Sequence, residues 1–271
     1  MTDRHDLTVT LPWMREGTAV LAHVADGLTD DGLADASALP GWTRAHVLGH
    51  VARNAEALTR LATWARTGVP TPMYADREQR ATEIESSATL PPEVLRAQLK
   101  STAAELEDAL AALDATTWQA EVRSALGRTI PAAEIPWMRV REVWLHAIDL
   151  APAAPPAPLV PTAPPAPLVP AAPLASEAIS AFIFAFADLP ADLTDTLLDD
   201  ITATLSNRPA CPAVRLVPTD RARTWDIGPT PPEPAPVIPV PVVEAPAADL
   251  LAWTTGRTPH PTAPVTLPPW L

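Results

Sequence analysis

The amino-acid sequence predicts a four-helix bundle followed by a small α+β domain, and three observations carry that prediction. Through residue 150 one helix-forming stretch follows another, dominated by alanine, leucine, arginine and glutamate with few β-branched alternations. A run of proline and alanine then breaks the pattern. Beyond it, short strand-like segments mix with further helical ones. The expected organisation is a bundle over residues 1–150, a Pro/Ala-rich linker over 151–174 and an α+β domain over 175–271. At 271 residues and 47% hydrophobic composition, the chain has enough apolar side chain to build a real core.

In the first expected helix, residues 11–27, Met14, Ala19, Val20, Ala22 and Val24 supply an apolar stripe and Gly27 a stop. Thr43 is a good N-cap for the second, which continues to Gly68. A loop, "GVPTPMYADREQ", leads into a shorter helical piece over residues 80–87. The third long helix opens at "LPPE", with Pro91 or Pro92 in its first turn. "ATTWQAEVRSALGRTIPAAE" reads as partly extended, and the fourth long helix starts near Ile135 or Pro136 and carries "WMRVREVWLHAIDL". Four antiparallel helices joined in this way make an up-and-down bundle with one longer crossover.

In the linker "APPAPLVP" occurs twice, at residues 154–161 and 163–170, which marks an extended, semi-rigid polyproline-type spacer rather than a ligand for a proline-recognition domain. After it, "ASEAISAFIFAFADLP" and "LTDTLLDDITATL" read as helices, and "PAVRLVPTD" and "ARTWDIGP" as a pair of strands. The prolines of "PVIPVPVVEAP" confine that strand to a sheet edge, and "AADLLAWTTGR" reads as a last helix.

A formal charge of −13 argues against a nucleic-acid or anionic-membrane partner, because either would repel such an excess of carboxylate. The N-terminal "MTDRHDLTVT" lacks an apolar signal region and no stretch reaches the ~18 apolar residues of a membrane span, so a cytoplasmic location is expected. Cys211 is the only cysteine, which rules out an intramolecular disulfide and reads as a structural or surface thiol rather than a catalytic one.

The chemistry concentrates on two helices. "RAHVLGHVARN" places His46 and His50 four residues apart, and "REVWLHAIDL" gives Glu142 and His146 the same spacing, so each pair projects from one helix face. Bundles build metal sites from inward-pointing carboxylate and imidazole at such spacings. Three N/O ligands with one open position suit zinc, and the carboxylates are too few for a di-iron centre. The plainer alternative is a surface ion pair worth ~0.3–0.5 kcal/mol. Against it stand the apolar neighbours Val143, Leu145, Ala147 and Ile148, among which an unpaired carboxylate would be costly. Spacing alone does not choose between His46 and His50.

"GWTRAHVLGHVARNAEAL", with "TGVPTPMY" after it and "WMRVREVWLHAIDL" later, resembles the mycothiol-dependent maleylpyruvate isomerase family, whose N-terminal domain is a DinB-like four-helix bundle. The resemblance covers roughly residues 11–150 and returns at "LLAWTTGR" and "PPWL". It implies a zinc held by the second histidine of H-x3-H and by both residues of E-x3-H, here His50, Glu142 and His146, with water or a thiolate in the fourth position. His46, one turn earlier, is left a supporting or structural role. The resemblance also implies a catalytic arginine in a "GR" element, here Arg257, which otherwise reads as an ordinary cation in the last turn of a helix. The duplicated linker and proline-rich tail depart from the family pattern.

The implied function is zinc- and mycothiol-dependent isomerisation of maleylpyruvate to fumarylpyruvate, a step of gentisate-type aromatic degradation. A metal-bound thiol is deprotonated, adds to the activated double bond, permits rotation and leaves again. Two substrate carboxylates call for cations: Arg257 first, then Arg139 or Arg141, whose other reading is surface salt bridges. Tyr74 in "TPMY" is either a hydrogen-bond donor or a buried structural tyrosine. Two other readings use the same residues, a mycothiol S-transferase acting on another electrophile and a non-catalytic metal-binding module; the full ligand set and Arg257 count against the latter. The expected partners are a small-molecule electrophile and a low-molecular-weight thiol, acting on a monomer.

Overall fold

The computed structural model describes residues 3–151, 184–229, 240–259 and 265–270. The duplicated proline-rich segment, and the beginning of the helix expected from residue 175, lie outside the described residues.

The N-terminal part contains α1 (Leu7–Gly27), α2 (Arg44–Thr67), α3 (Arg77–Ala88), α4 (Pro92–Ala111) and α5 (Ile135–Asp149). The four long helices close on one another: α1 packs on α5 and α4, and α2 packs on α4 and α5 while carrying the shorter α3 on its outer side. Leu48, Leu58 and Leu61 of α2 are fully buried, and each such side chain stabilises the core by roughly 1.5–3 kcal/mol. Between α4 and α5, β1 (Glu121–Arg123) and β2 (Thr129–Pro131) form a hairpin that pairs Val122 with Ile130, both buried, and turns at Gly127 with φ of 81°.

α1 starts earlier than the predicted residue 11. The Asp6 carboxylate accepts the Thr8 N–H at 2.9 Å and caps a first turn that the apolar stripe does not reveal. Pro12 then sits inside the helix, at the loss of one backbone hydrogen bond. Contact between α1 and α5 depends on Gly17, where a Cβ would fall 2.5 Å from the Trp144 indole nitrogen. That nitrogen donates to the Trp13 carbonyl at 2.8 Å.

The C-terminal part contains α6 (Ala191–Ser206), β3 (Val214–Pro218), β4 (Trp225–Ile227), β5 (Val242–Ala245) and α7 (Ala247–Thr254). Its sheet has the order β4-β3-β5, with β4 antiparallel and β5 parallel to β3, so the proline-flanked strand is at the edge. The helix expected over residues 175–190 does not extend to its predicted end: residues 186–188 form a single 3-10 turn. The Asp188 carboxylate accepts the Ala185 N–H at 2.8 Å, and Pro190 drives Leu189 into an extended conformation. Among the described residues, no helix is long and apolar enough to cross a membrane.

α6 meets the bundle through Asp200, which accepts from Arg141 of α5 at 3.0 Å and from Arg4 at 3.5 Å. The Arg141 guanidinium also lies 5.9 Å from the ring centre of Trp270, in the C-terminal tail.

Candidate metal centre

His50 of α2 faces Glu142 and His146 of α5. The two Nε2 atoms lie 2.8 Å and 3.3 Å from the same oxygen, Glu142 Oε2. The imidazole rings meet edge to face with centroids 4.8 Å apart. One ligand atom from each of the three residues falls within 4.8 Å of the others. Around a tetrahedral zinc with bonds near 2.1 Å, ligand atoms would be about 3.4 Å apart, so this donor set fits one small divalent ion. Both histidines are buried and the carboxylate is partly exposed.

The face of α5 that carries these ligands is a longer polar stripe. Arg139, Glu142, His146 and Asp149 follow at steps of three, four and three, which keeps them in line down the helix. Asp149 is fully buried and its Oδ2 accepts from His146 Nδ1 at 2.8 Å. A neutral His146 with its proton held there would have its lone pair on Nε2 for a metal ion, and the carboxylate and imidazole are thus arranged as in the relay usual around metal-bound histidine.

The Asp149 carboxylate is gripped from its other side by Arg257, with Nε at 3.0 Å from Oδ1 and Nη2 at 2.8 Å from Oδ2. The "GR" pair explains how Arg257 arrives. Gly256 adopts φ of 74°, the Gly256 N–H bonds the Trp253 carbonyl and the Arg257 N–H bonds the Ala252 carbonyl, each at 2.9 Å. This double closure of the α7 C-terminus reverses the chain and turns Arg257 back toward α5.

Burial and charge compete at every group. Burial alone would raise the Glu142 pKa, yet His50 and His146 outweigh it and hold the carboxyl well below the usual range. For Asp149 burial is likewise overcome, by His146 and Arg257, and its pKa is lowered. Burial would lower His146, but hydrogen bonds to Asp149 and Glu142 raise it. His50 is lowered, because burial prevails over the attraction of Glu142.

The remaining sequence candidates take other places. His46 closes the start of α2: its Nδ1 accepts the Thr43 N–H at 3.2 Å, Thr43 Oγ1 accepts the His46 N–H in return, and its Nε2 lies 3.3 Å from Glu85 of α3. Arg139 is not a surface residue. Its side chain is buried between α2 and α5, donating to the Val51 carbonyl at 2.7 Å and to Asn54 Oδ1 at 2.9 Å, and burial lowers its pKa to about 10. Arg141 is spent on Asp200, and Tyr74 packs on the core with the guanidinium groups of Arg60 and Arg80 at 5.9 Å and 5.8 Å from its ring centre. Cys211 is buried in the core of the smaller domain, where burial pushes its thiol pKa up. Two further residues reach the centre without having been singled out in the sequence. Asp149 continues the α5 stripe and could have been found from register. Arg80, with Nη2 at 3.3 Å from His50 Nδ1, has no local signal.

The centre opens on a cavity of about 840 Å³ where the bundle, α7 and the tail meet. His50, His146, Arg80 and Arg257 line it, together with the indoles of Trp42, Trp253 and Trp270. Such a volume takes a ligand of ordinary small-molecule size.

Comparison with known proteins agrees with this architecture. Residues 14–151 match the family model "Mycothiol maleylpyruvate isomerase N-terminal domain", and residues 188–267 match its companion, the "MDMPI C-terminal domain". A crystal structure of a mycothiol-dependent maleylpyruvate isomerase is 31% identical, covers 99% of both chains and superposes with a TM-score of 0.79. A histidine-to-alanine mutant of that isomerase is 30% identical over 99% of both chains, also with a TM-score of 0.79. No curated protein matches the chain. Two family models covering the helical and the α+β parts, with a solved relative alike from end to end, leave one assignment: the chain belongs to the mycothiol maleylpyruvate isomerase family.

Proposed function

We propose that the chain is a zinc- and mycothiol-dependent maleylpyruvate isomerase, with His50, Glu142 and His146 as zinc ligands and Arg257 as the arginine that completes the site. The observation that carries this reading is the convergence of two imidazole Nε2 atoms and one carboxylate oxygen beside a large cavity. Likeness to a solved mycothiol-dependent maleylpyruvate isomerase supplies the substrate and the thiol.

Zinc held there would lower the pKa of a coordinated thiol, which would add to and leave the substrate double bond so that rotation in between converts cis to trans. The residues of the chain prepare this step. Asp149 keeps the proton of His146 on Nδ1 and so frees Nε2 for the metal. Arg257 keeps Asp149 ionised and fixes its carboxylate against His146. Indoles and prolines in the same wall limit the water around the reacting groups, which strengthens every charge interaction there. Cys211 lies outside this wall, which supports a borrowed nucleophile.

The test is metal analysis coupled to a thiol-dependence assay. Purified protein should hold one zinc per chain and change maleylpyruvate absorbance only when mycothiol is supplied. Equal turnover without any thiol would remove mycothiol from the reading. Conjugation of a chlorinated aromatic with maleylpyruvate untouched would reassign the electrophile.

A further inference from the structure

Two arginines line the cavity next to the metal-ligand cluster, and their hydrogen-bonding capacity is used very differently. Arg257 places Nε and Nη2 on the Asp149 carboxylate and Nη1 on the Thr255 carbonyl. An incoming anion could win it only by breaking a buried ion pair. Arg80 has no carboxylate partner among the described residues. It makes one long contact, Nη2 to His50 Nδ1 at 3.3 Å, and its guanidinium lies 5.8 Å from the Tyr74 ring centre, within hydrogen-bonding reach of that hydroxyl.

The contact with His50 has no bonding value once Nε2 is engaged by a metal. A neutral imidazole that gives Nε2 to an ion keeps its proton on Nδ1, and an Nδ1–H facing an arginine N–H sets donor against donor. Arg80 then has the Tyr74 hydroxyl near it but no anionic acceptor among the described residues, on the cavity wall that His50 and His146 also line.

The fold holds it there. α3 presses on α2 at Gly49, the residue before His50, where a Cβ would fall 2.6 Å from Ser87 Cβ. Tyr74 steadies the guanidinium by its ring face, the geometry that leaves an arginine edge free for a planar anion.

We propose that Arg80 receives an anionic carboxylate of the substrate through its guanidinium edge, and thereby selects carboxylate-bearing electrophiles over neutral ones. The identity of the reaction rests on the function proposed above; the anion site rests only on the part of it that places a metal at His50 Nε2.

Wild type, Arg80→Gln and Arg80→Lys, all zinc-loaded, are compared in zinc content, thermal midpoint, calorimetric binding of maleate as a dicarboxylate probe, and KM and kcat for maleylpyruvate with mycothiol. Arg80→Gln should keep its zinc and its thermal midpoint, while maleate affinity falls and KM rises by about 10- to 100-fold with a smaller change in kcat. Arg80→Lys should recover part of the loss, since it restores the charge without the planar fork. Unchanged maleate affinity in zinc-replete Arg80→Gln overturns the proposal. So does loss of zinc in both variants, which would give Arg80 the task of holding His50. If wild type binds maleate through Arg80 but leaves maleylpyruvate untouched in the presence of mycothiol, the isomerase reading fails and the anion site stands. Isomerisation with a KM indifferent to Arg80 has the opposite meaning.

Discussion

α2 and α5 each present two metal-binding residue types four positions apart, and the two pairs meet different fates. On α5 both members, Glu142 and His146, enter one cluster; on α2 only His50 does, while His46 turns to Thr43 and Glu85. Spacing is identical, so spacing cannot be the cause. His46 lies in the first turn of α2, where backbone N–H groups have no partner inside the helix and a side chain that can answer the cap is drawn into that task. His50 and Glu142 lie deeper in their helices, where the backbone satisfies itself, and His146, in the last turn of α5, has no N-terminal cap to answer, so the three side chains are free to meet across the α2–α5 contact. Depth within the helix and the element opposite decide the role.

The sharpest way to break this comparison is to remove members of the cluster. His50→Ala and Glu142→Ala should each lose stoichiometric zinc and, with it, thiol-dependent turnover, as read by metal analysis and the absorbance assay. Either variant retaining one zinc per chain would show that the cluster is not the metal site.

Asp149 ranks next, because it serves the cluster without belonging to it. Asp149→Asn leaves Arg257 buried without its charge partner and His146 without its orienting carboxylate. Truncating a buried pair in this way costs about 3–5 kcal/mol, and losing the partner of a metal-bound histidine weakens metal binding about 10- to 100-fold. Denaturant unfolding and competition with a zinc chelator measure the two effects. The same residue sets a pH dependence. The folded pKa values of Asp149 and Glu142 are lowered, so their contribution to stability is present above the unfolded value of about 4 and lost as pH falls through the folded values. Metal-free protein should therefore lose thermal stability as the medium is acidified below about pH 4, and Asp149→Asn should flatten that loss.

Local chemistry made much of the frame readable in the sequence. Thr43, Gly68 and Pro92 bound helices through groups that act within one turn, and the strand-confining prolines act on their own backbone. The start of α1 has an equally local cause, the Asp6 cap, but it lies ahead of the apolar stripe that marks the helix in the sequence. The centre is less legible because its decisive contacts are remote. "AADLLAWTTGR" reads as helix to its end, whereas α7 stops at Thr254, the chain reverses at Gly256, and the target of Arg257 is Asp149 on α5, 108 positions away. Arg80 reaches His50 across the packing of α3 on α2, and nothing within its own helix predicts that. Arg139 looked like a surface cation, yet a guanidinium at the α2–α5 crossing can be buried where a backbone carbonyl and an asparagine accept from it.

The smallest expected effect sharpens the comparison most. His46→Ala keeps the i,i+4 partner of His50 out of the way while leaving every member of the cluster in place. It removes the acceptor of the Thr43 N–H and the contact to Glu85, so stability should fall by about 0.5–2 kcal/mol, the range for losing a helix N-cap interaction. Zinc content and KM should stay at wild-type values. Were His46→Ala to lose zinc as His50→Ala does, the start of α2 and the metal centre would be one cooperative unit, and depth within the helix would no longer separate the two histidines.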